Sequence, residues 1–138
     1  MPEQTAMQEP AFPYATHLNV LYPALEKFSL DPLVAEVSDA WYNQTLVRVN
    51  DAVLRLGVMQ GEYHWHEHSA DDECFFVLSG RFLIDLAPQA DGVTPGQVIE
   101  LGPREGFVVP KGVRHRTRAP ERAVILMIET ASIVPTGD

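Results

Sequence analysis

The chain has 138 residues, the usual size of one compact domain, so a second domain is not expected. Hydrophobic residues make up 46% of it and charged residues 21%, which is typical of a folded protein and too hydrophobic for a disordered one. The net charge of -9 repels phosphate backbones and acidic lipid surfaces, so neither nucleic acid nor a membrane is an expected partner.

The cysteine content and the hydropathy pattern bear on location. The single cysteine, Cys74, has no partner in the chain for a disulfide. The first residues lack the basic and apolar pattern of a secretion signal. The longest apolar run, AVILMI at 123–128, is far too short to span a bilayer. Together these features predict a cytoplasmic protein.

Residues 1–32 are predicted to form an arm and a short helix that pack on the main domain. Prolines at positions 2, 10 and 13 favour an extended arm at the start of the chain. The segment NVLYPALEKFS contains good helix formers after Pro23, so a short helix is expected from about Ala24 to Phe28.

Residues 33–138 are predicted to form a single β-barrel domain. From Leu33 onward, short apolar runs alternate with turn signals such as Asn50-Asp51 and Ser79-Gly80, and no segment shows sustained helical periodicity. The predicted strands are LVAEVS, QTLVRV, AVLRLGVM, EYHWHEH, ECFFVLS, RFLIDL, QVIEL, GFVVP, RHRTRA and RAVILMIE. This pattern indicates an all-β sandwich or barrel.

Three of the five histidines lie within the segment GEYHWHEHSADDECFFVLSG at 61–80. They are His64, His66 and His68. Because side chains alternate between the two faces of a strand, we expect these histidines on one face and Tyr63, Trp65 and Glu67 on the other. Glu73 opens the next strand and shares its face with Phe75. One hairpin therefore offers four candidate metal ligands.

A second constellation, VVPKGVRHR, follows some forty residues later. Pro110 and Gly112 indicate a tight turn, and His115 follows on the strand that leaves it. If His115 faces inward, Thr117 does too. The arginines between and beside them are then expected on an outward, solvated or intersubunit face: Arg114, Arg116 and Arg118.

The two segments resemble the two sequence motifs of the cupins, a family of small β-barrels. The first motif, His-x-His with a later glutamate and glycine, is matched by His66, His68, Glu73 and Gly80. The second, Pro-x-Gly-x-x-His, is matched by Pro110, Gly112 and His115. The resemblance covers about residues 45–138 and extends to the single-domain subgroup labelled mannose-6-phosphate isomerase-like. It implies an RmlC-like jelly roll, the cupin double-stranded β-helix.

In metal-binding cupins, the motif histidines and glutamate are the ligands. The resemblance therefore implies a metal site made of His66, His68, Glu73 and His115. Nitrogen and oxygen donors of this kind suit one divalent ion of Fe, Mn, Ni, Cu or Zn, and the sequence does not distinguish between these metals. Four protein ligands leave coordination positions open for water or substrate.

Other side chains near the predicted site are expected to line the pocket or to orient the ligands. They are His64, Phe75 and Thr117. Cys74 is expected to face away from Glu73 as a buried, inert thiol. Arg48 and Arg55 are interpreted as surface ion-pairing residues. No inward basic residue that could hold a phosphate is identified.

Three hypotheses for the function stay open. The first is a metal-dependent enzyme acting on a small oxygenated molecule such as a sugar, organic acid or dicarbonyl, by isomerase-like or dioxygenase-like chemistry. The second is a non-catalytic module that binds a sugar-like ligand, and the third is a structural barrel with a vestigial site. The apolar strand RAVILMIE at 122–129 is also compatible with a homodimer that pairs through its outer sheet.

Overall fold

The computed structural model describes residues 13–138, which are mostly β-strand with one short helix. The helix, α1, is Leu30–Glu36. The strands are β1 Ala15–His17, β2 Trp41–Val49, β3 Ala52–Glu62, β4 Glu73–Ser79, β5 Phe82–Leu86, β6 Gln97–Leu101, β7 Gly106–Val109 and β8 His115–Thr130. The predicted all-β class with a short helix is confirmed. Within 13–138, no helix is long and apolar enough to cross a membrane.

The strands follow the order β1-β2-β3-β8-β4-β7, with β5 and β6 joined to this path through β8. The first residues of β8 pair with β5, and its later residues pair with β3 on one side and β4 on the other. β1 and β2 are parallel, while the other pairs in the described part of the chain are antiparallel. β8 is therefore the strand that joins the parts of the barrel.

The prediction of two separate strands, RHRTRA and RAVILMIE, is wrong, because both lie on β8, which is 16 residues long. Pro120 would normally end a central strand, since it lacks a backbone N–H. Here it lies between Ala119 and Ala123, where the register with β3 shifts and no ladder pair requires its N–H. The strand therefore continues through the proline.

The helix lies further along the chain than predicted. No helix forms at 24–28, where Leu25 adopts a left-handed φ of 70°, and most of the predicted strand LVAEVS is helical. Leu30, Leu33 and Val34 follow the i, i+3, i+4 spacing of a helix face and pack on the cluster built around Leu46. Tertiary packing of this face outweighs the β propensity of Val34.

Pro32 lies in the first turn of α1, where a proline is tolerated because the first N–H groups of a helix have no intrahelical partner. The helix thus runs across the predicted boundary between residues 1–32 and 33–138. That division stays a prediction, and the part of the arm at 1–12 lies outside the described residues.

Two apolar clusters hold the fold together. The larger one fills the barrel and includes Phe75, Phe82, Ile84 and Ile125. The smaller one, around Leu46 and Leu56, lies on the opposite face of β2 and β3, where α1 covers it. Along β2, β3 and β8, one set of alternate residues packs in the larger cluster and the other set packs in the smaller one. Polar side chains in the first set therefore point into the interior of the barrel.

Candidate metal centre

The histidine segment is a loop rather than the predicted strand. β3 ends at Glu62 and β4 begins at Glu73, and residues 63–72 between them carry only an isolated bridge from His66 to His115. The His66 N–H donates to the His115 carbonyl at 2.9 Å, and the His115 N–H returns a bond to the His66 carbonyl at 2.8 Å. A further bond joins the Gly112 N–H to the His68 carbonyl at 2.8 Å. Backbone hydrogen bonds thus fix the two motifs against each other.

The predicted alternation of faces is wrong for Tyr63 and His64. Tyr63 is 7% exposed and belongs to the barrel core, beside the site. The half-buried His64 instead bonds outside the cluster, with its Nδ1 3.3 Å from the Tyr14 hydroxyl and its Nε2 2.8 Å from the Thr136 carbonyl. Because this segment is a loop, strict two-fold alternation does not apply to it.

The four side chains identified by the motifs come together inside the barrel. His66, His68, Glu73 and His115 are all buried, and each offers a ligand atom within 4.8 Å of the other three. Glu73 Oε1 lies 3.5 Å from His68 Nε2 and 3.4 Å from His115 Nε2. Ligands of one transition ion lie about 2 Å from it, and so roughly 3 to 4 Å from one another. The cluster is therefore of the right size to hold a metal ion.

Hydrogen bonds at Nδ1 turn the Nε2 atoms toward the centre of the cluster. The carbonyls of His64 and Val113 accept from His66 Nδ1 at 3.1 Å and from His115 Nδ1 at 2.9 Å. A carbonyl can only accept, so each Nδ1 carries the proton and each Nε2 keeps its lone pair. Nitrogens oriented in this way are typical of metal-binding histidines.

A segment near the end of the chain supports the third histidine. The Asp138 carboxylate lies 2.8 Å from His68 Nδ1, and the Asp138 N–H donates to the Glu67 carbonyl at 3.1 Å. Gly137 packs so closely that an added Cβ would lie 3.1 Å from the Cβ of His66. Residues 136–138 therefore support the histidine loop at His64, Glu67 and His68.

The protonation states favour neutral imidazole and an ionised carboxylate. Burial, assisted by nearby His115, lowers the pKa of His66 to about 4. Burial opposes a charge on His68, but the carboxylates of Glu73 and Asp138 raise its pKa above the usual value. Burial likewise opposes a charge on Glu73, yet the adjacent imidazoles of His115 and His68 hold its pKa below the usual range. A carboxylate among imidazoles suits a divalent cation.

A buried ion pair lies next to the cluster. Arg55 Nε is 3.1 Å from Glu129 Oε2, and Glu129 faces Glu73 across the β4–β8 pair. Burial and the charge of Glu73 raise the pKa of Glu129 well above its usual value. Arg55 is 2% exposed, so the expectation of a surface ion pair is wrong for this residue, and a basic side chain does point inward. Arg48 is exposed, as interpreted from the sequence.

A small cavity of about 20 Å³ adjoins the cluster. Its walls contain two of the expected pocket residues, Phe75 and Thr117, whereas His64 does not line it. The aromatic and apolar lining residues are Trp41, Met59, Tyr63, Phe75, Met127 and Pro135. The polar ones are Asn43, His66, Glu73 and Thr117. Two of the four candidate ligands, His66 and Glu73, therefore border this cavity.

Several residues around the cluster were not identified from the sequence. Arg55 and Glu129 could have been identified, because each lies on the inward face that the alternating buried residues of its strand define. These residues are Val53, Arg55 and Met59 on β3, and Ile125, Met127 and Glu129 on β8. No sequence pattern identifies Asp138, since 70 residues separate it from His68. Asn43 was also missed, because its strand was predicted to start one residue after it.

Fold and site together define a class of protein: a β jelly roll whose interior holds three imidazoles and one carboxylate around a common point. The chain belongs to the cupin family, as residues 53–129 match the family described as Cupin domain (Cupin_2). The resemblance of the two motifs is thereby confirmed at the level of the family. The mannose-6-phosphate isomerase-like subgroup stays a prediction.

Similar proteins agree with this assignment. The uncharacterized protein YdbB of Bacillus subtilis is 39% identical over 94 residues, which cover 68% of this chain and 77% of that protein. A cupin-2 domain containing protein from Shewanella frigidimarina is 31% identical, with a TM-score of 0.64 over 75% of this chain and 93% of that one. A hydroquinone 1,2-dioxygenase in complex with Fe3+ shares the fold at 16% identity, with a TM-score of 0.67 over 79% of this chain and 33% of that one.

Proposed function

We propose that this cupin is a divalent-metal-dependent enzyme that acts on a small oxygenated molecule inside the barrel. One observation carries the proposal. His68 Nε2, His115 Nε2 and Glu73 Oε1 are buried, and none has a hydrogen-bond partner within residues 13–138. A buried polar atom without a partner costs about 1–3 kcal/mol. Three such atoms facing one another are best explained by a cation that binds all of them.

The residues that would hold the ion are His66, His68, Glu73 and His115. When bound, a divalent ion such as Fe, Mn, Ni, Cu or Zn would polarise a hydroxyl or carbonyl oxygen of the substrate or bind oxygen beside it. The chain contributes the orientation of the donors, through the His64 and Val113 carbonyls and the Asp138 carboxylate. It also contributes apolar walls that limit the access of water. Isomerase-like and dioxygenase-like reactions both fit this arrangement.

The iron-containing dioxygenase that shares the fold supports the metal proposal by analogy. It is too distant in sequence to indicate a substrate for this chain, and the relative YdbB carries no activity in its name. The choice of substrate among sugars, organic acids and dicarbonyls is therefore left to direct assay.

The first test compares metal content. Wild-type protein loaded with Fe2+, Mn2+, Ni2+ or Zn2+ and then dialysed is expected to retain about one ion per chain by elemental analysis. His115→Gln and Glu73→Gln should lose most of it, since each removes a donor. His17→Gln is the control, because His17 is exposed and lies outside the cluster. Equal metal content in all four proteins would contradict the proposal.

Turnover is the second test. Metal-loaded protein should convert at least one compound in a panel of aldoses, ketoses, hydroxy acids, dicarbonyls and catechols, and His115→Gln should not. Activity that is unchanged in both ligand variants would show that the reaction does not use this cluster.

A non-catalytic binding module is the alternative, and one observation favours it. Apart from the candidate ligands His66 and Glu73, the only titratable side chain that lines the cavity in the described part of the chain is Tyr63. The cavity thus offers few groups for moving protons. A loaded protein that binds a member of the panel and returns it unchanged would support this alternative over the enzyme.

A further inference from the structure

The cavity beside the cluster is closed in this structure. Its volume of about 20 Å³ has room for roughly one water molecule, whereas small-molecule sites span roughly 300–1,000 Å³. A dicarbonyl or a sugar is several times larger than a water molecule, so neither fits beside the candidate ligands while the walls stay in place. A reaction inside this barrel therefore requires part of the cavity wall to move.

Backbone pairing fixes nine of the ten described residues that line the cavity. Seven of them lie on β2, β3, β4 and β8, where each has a ladder partner. Tyr63 and His66 lie on the histidine loop, and their N–H groups donate to the carbonyls of Thr117 and His115 on β8, at 2.8 and 2.9 Å. A backbone shift at any of these nine positions would disrupt that pairing. Pro135 is the remaining residue of the wall.

Pro135 lies in a segment, residues 134–138, that we call the lid. The lid follows β8, and within residues 13–138 it pairs with no strand. Its hydrogen bonds to other described residues all go to positions 64–69 of the histidine loop. If these bonds break, the sheet stays intact. The lid is therefore the part of the wall that moves at the lowest cost.

A buried residue just before the lid provides an anchor. Ile133 is 3% exposed, and its N–H donates to the Thr130 carbonyl at 3.1 Å. The Ala131 N–H donates to the Asp51 carbonyl at 2.8 Å. Val134, which follows this anchor, is 47% exposed. The chain can therefore turn at Val134 while Ile133 and β8 keep their places.

We propose that the lid is a gate, which swings away from the histidine loop to widen the cavity for a substrate and closes the cavity in the empty protein. This inference rests on the proposed function and adds how a substrate reaches the ion. Opening withdraws Pro135 from the cavity wall. It also takes the Asp138 carboxylate from His68 Nδ1, so the support of one candidate ligand is coupled to the position of the gate.

A thiol in the cavity wall measures access in the metal-free protein. Thr117→Cys, in a Cys74→Ser background, places a thiol of similar size on a wall residue that is 4% exposed. Its alkylation by iodoacetamide requires the cavity to open. Val58→Cys in the same background is the control, because Val58 is 1% exposed and lies in the smaller apolar cluster. Relative to the unfolded chain, the thiol at position 117 should react at least about 10-fold faster than the one at position 58.

A lid variant tests whether this access depends on the gate. Gly137 has a φ of 120°, and an added Cβ would lie 3.1 Å from the Cβ of His66, so Gly137→Ala strains the closed position. The thiol at position 117 should then react about 10-fold faster, and the one at position 58 at an unchanged rate. Gly92→Ala is the matched control, since Gly92 also has a positive φ, of 73°, but an added Cβ there meets no atom within 4 Å. It should change neither rate.

A second variant removes hydrogen bonds instead of adding strain. The Asp138 carboxylate bonds His68 Nδ1 at 2.8 Å and accepts from the Val134 N–H at 3.2 Å. Asp138→Ala loses both bonds, so the closed position is less stable and the thiol at position 117 should again react about 10-fold faster. An unchanged rate at position 58 would show that the rest of the fold is intact.

The outcomes separate the gate from the function on which it rests. If neither lid variant changes the alkylation rate at position 117, the gate is overturned. It is also overturned if the thiols at positions 117 and 58 react equally slowly, since access would then require unfolding. Because the measurement uses no metal, both results leave the proposed function in place. Protein that retains no ion after dialysis would overturn that function, and with it the purpose of the gate, without altering the alkylation rates.

Discussion

Arg55 and Glu129 form a buried ion pair beside Glu73. Glu129 lies across from Glu73 on the neighbouring strand, and its carboxylate pairs with the buried guanidinium of Arg55. Arg55 Nη1 has no hydrogen-bond partner among the described residues. Burial and the charge of Glu73 raise the pKa of Glu129, and the positive charge of Arg55 acts in the opposite direction.

Removal of this arginine is expected to be costly. Arg55→Met leaves Glu129 buried without a counter-charge and should lower the free energy of unfolding by about 3 kcal/mol in urea titrations of the metal-free protein. The double variant Arg55→Met/Glu129→Met should recover most of the loss. Arg48→Met is the control, because Arg48 is exposed and bonds only a local carbonyl. A double variant no more stable than the single one would contradict the pairing.

At the residue scale, the sequence predicted the four members of the cluster and two residues of the cavity, Phe75 and Thr117. The spacing of the two cupin motifs was sufficient to predict these residues, because in cupins the motif side chains at these positions meet inside the barrel. It could not predict Tyr63, whose position depends on the irregular loop at 63–72. Nor could it predict Asp138, whose contact with His68 depends on the path of a distant segment.

Among the elements, β5 and the first part of β8 are joined by a charge cluster. Asp85 on β5 is 6% exposed and accepts two hydrogen bonds from Arg118, at 2.8 and 2.9 Å, and one from Arg116 at 3.0 Å. The predicted outward face of these arginines is thus occupied by an ion pair. The hydrogen bonds from Arg118 and Arg116 hold the pKa of Asp85 below its usual value.

This shift predicts a pH dependence. A carboxyl whose pKa is depressed by folding stabilises the protein fully above its unfolded pKa of about 3.9. The contribution begins to fall below that pH and is lost as the pH passes through the lower pKa of the folded state. Metal-free Asp85→Asn should therefore be less stable than the wild type at pH 7 by about 1–2 kcal/mol. The difference should shrink at pH 3.5, as measured by urea unfolding.

Glu100→Gln is the matched control, since Glu100 forms a pair with Arg81 in which both side chains are largely exposed. It should change stability by less than about 1 kcal/mol at either pH. Neither substitution alters a member of the histidine cluster, so the contribution of the cluster to stability cancels in the comparison. A difference for Asp85→Asn that stays constant with pH would contradict the role of its charge.

The prediction of elements succeeded where strands are regular. β4 and β6 were predicted with their bounds as found, because turns enclose short β-rich runs. It failed for α1 and for residues 63–72. Residues 30–36 form a helix because one face of it packs on the cluster around Leu46. Residues 63–72 form a loop that is held by backbone hydrogen bonds between His66 and His115 instead of the regular hydrogen bonds of a strand. Both depend on contacts distant in sequence, which local patterns do not contain.

For the whole molecule, a homodimer stays a prediction, as do the cytoplasmic location and a small-molecule partner. Exposed apolar side chains lie together on the outer face of β4, β7 and β8: Phe76, Val108 and Ile128. If a second copy covers this face, light scattering at micromolar concentration should give twice the mass of the chain. Phe76→Asp should halve that mass, whereas Val98→Asp, on the exposed face of β6, should not. A monomeric wild type would contradict the prediction.

The position of β8 has a consequence for how the chain is made. β3, β4 and β5 all pair with this strand, which is synthesised after the other seven described strands. During translation, the β2–β3 and β5–β6 hairpins can form early, but their remaining edges stay unpaired until residues 115–130 leave the ribosome. Such nascent edges are prone to aggregate. The barrel, and with it the meeting of His115 with the other histidines, is therefore completed in one late step of biosynthesis.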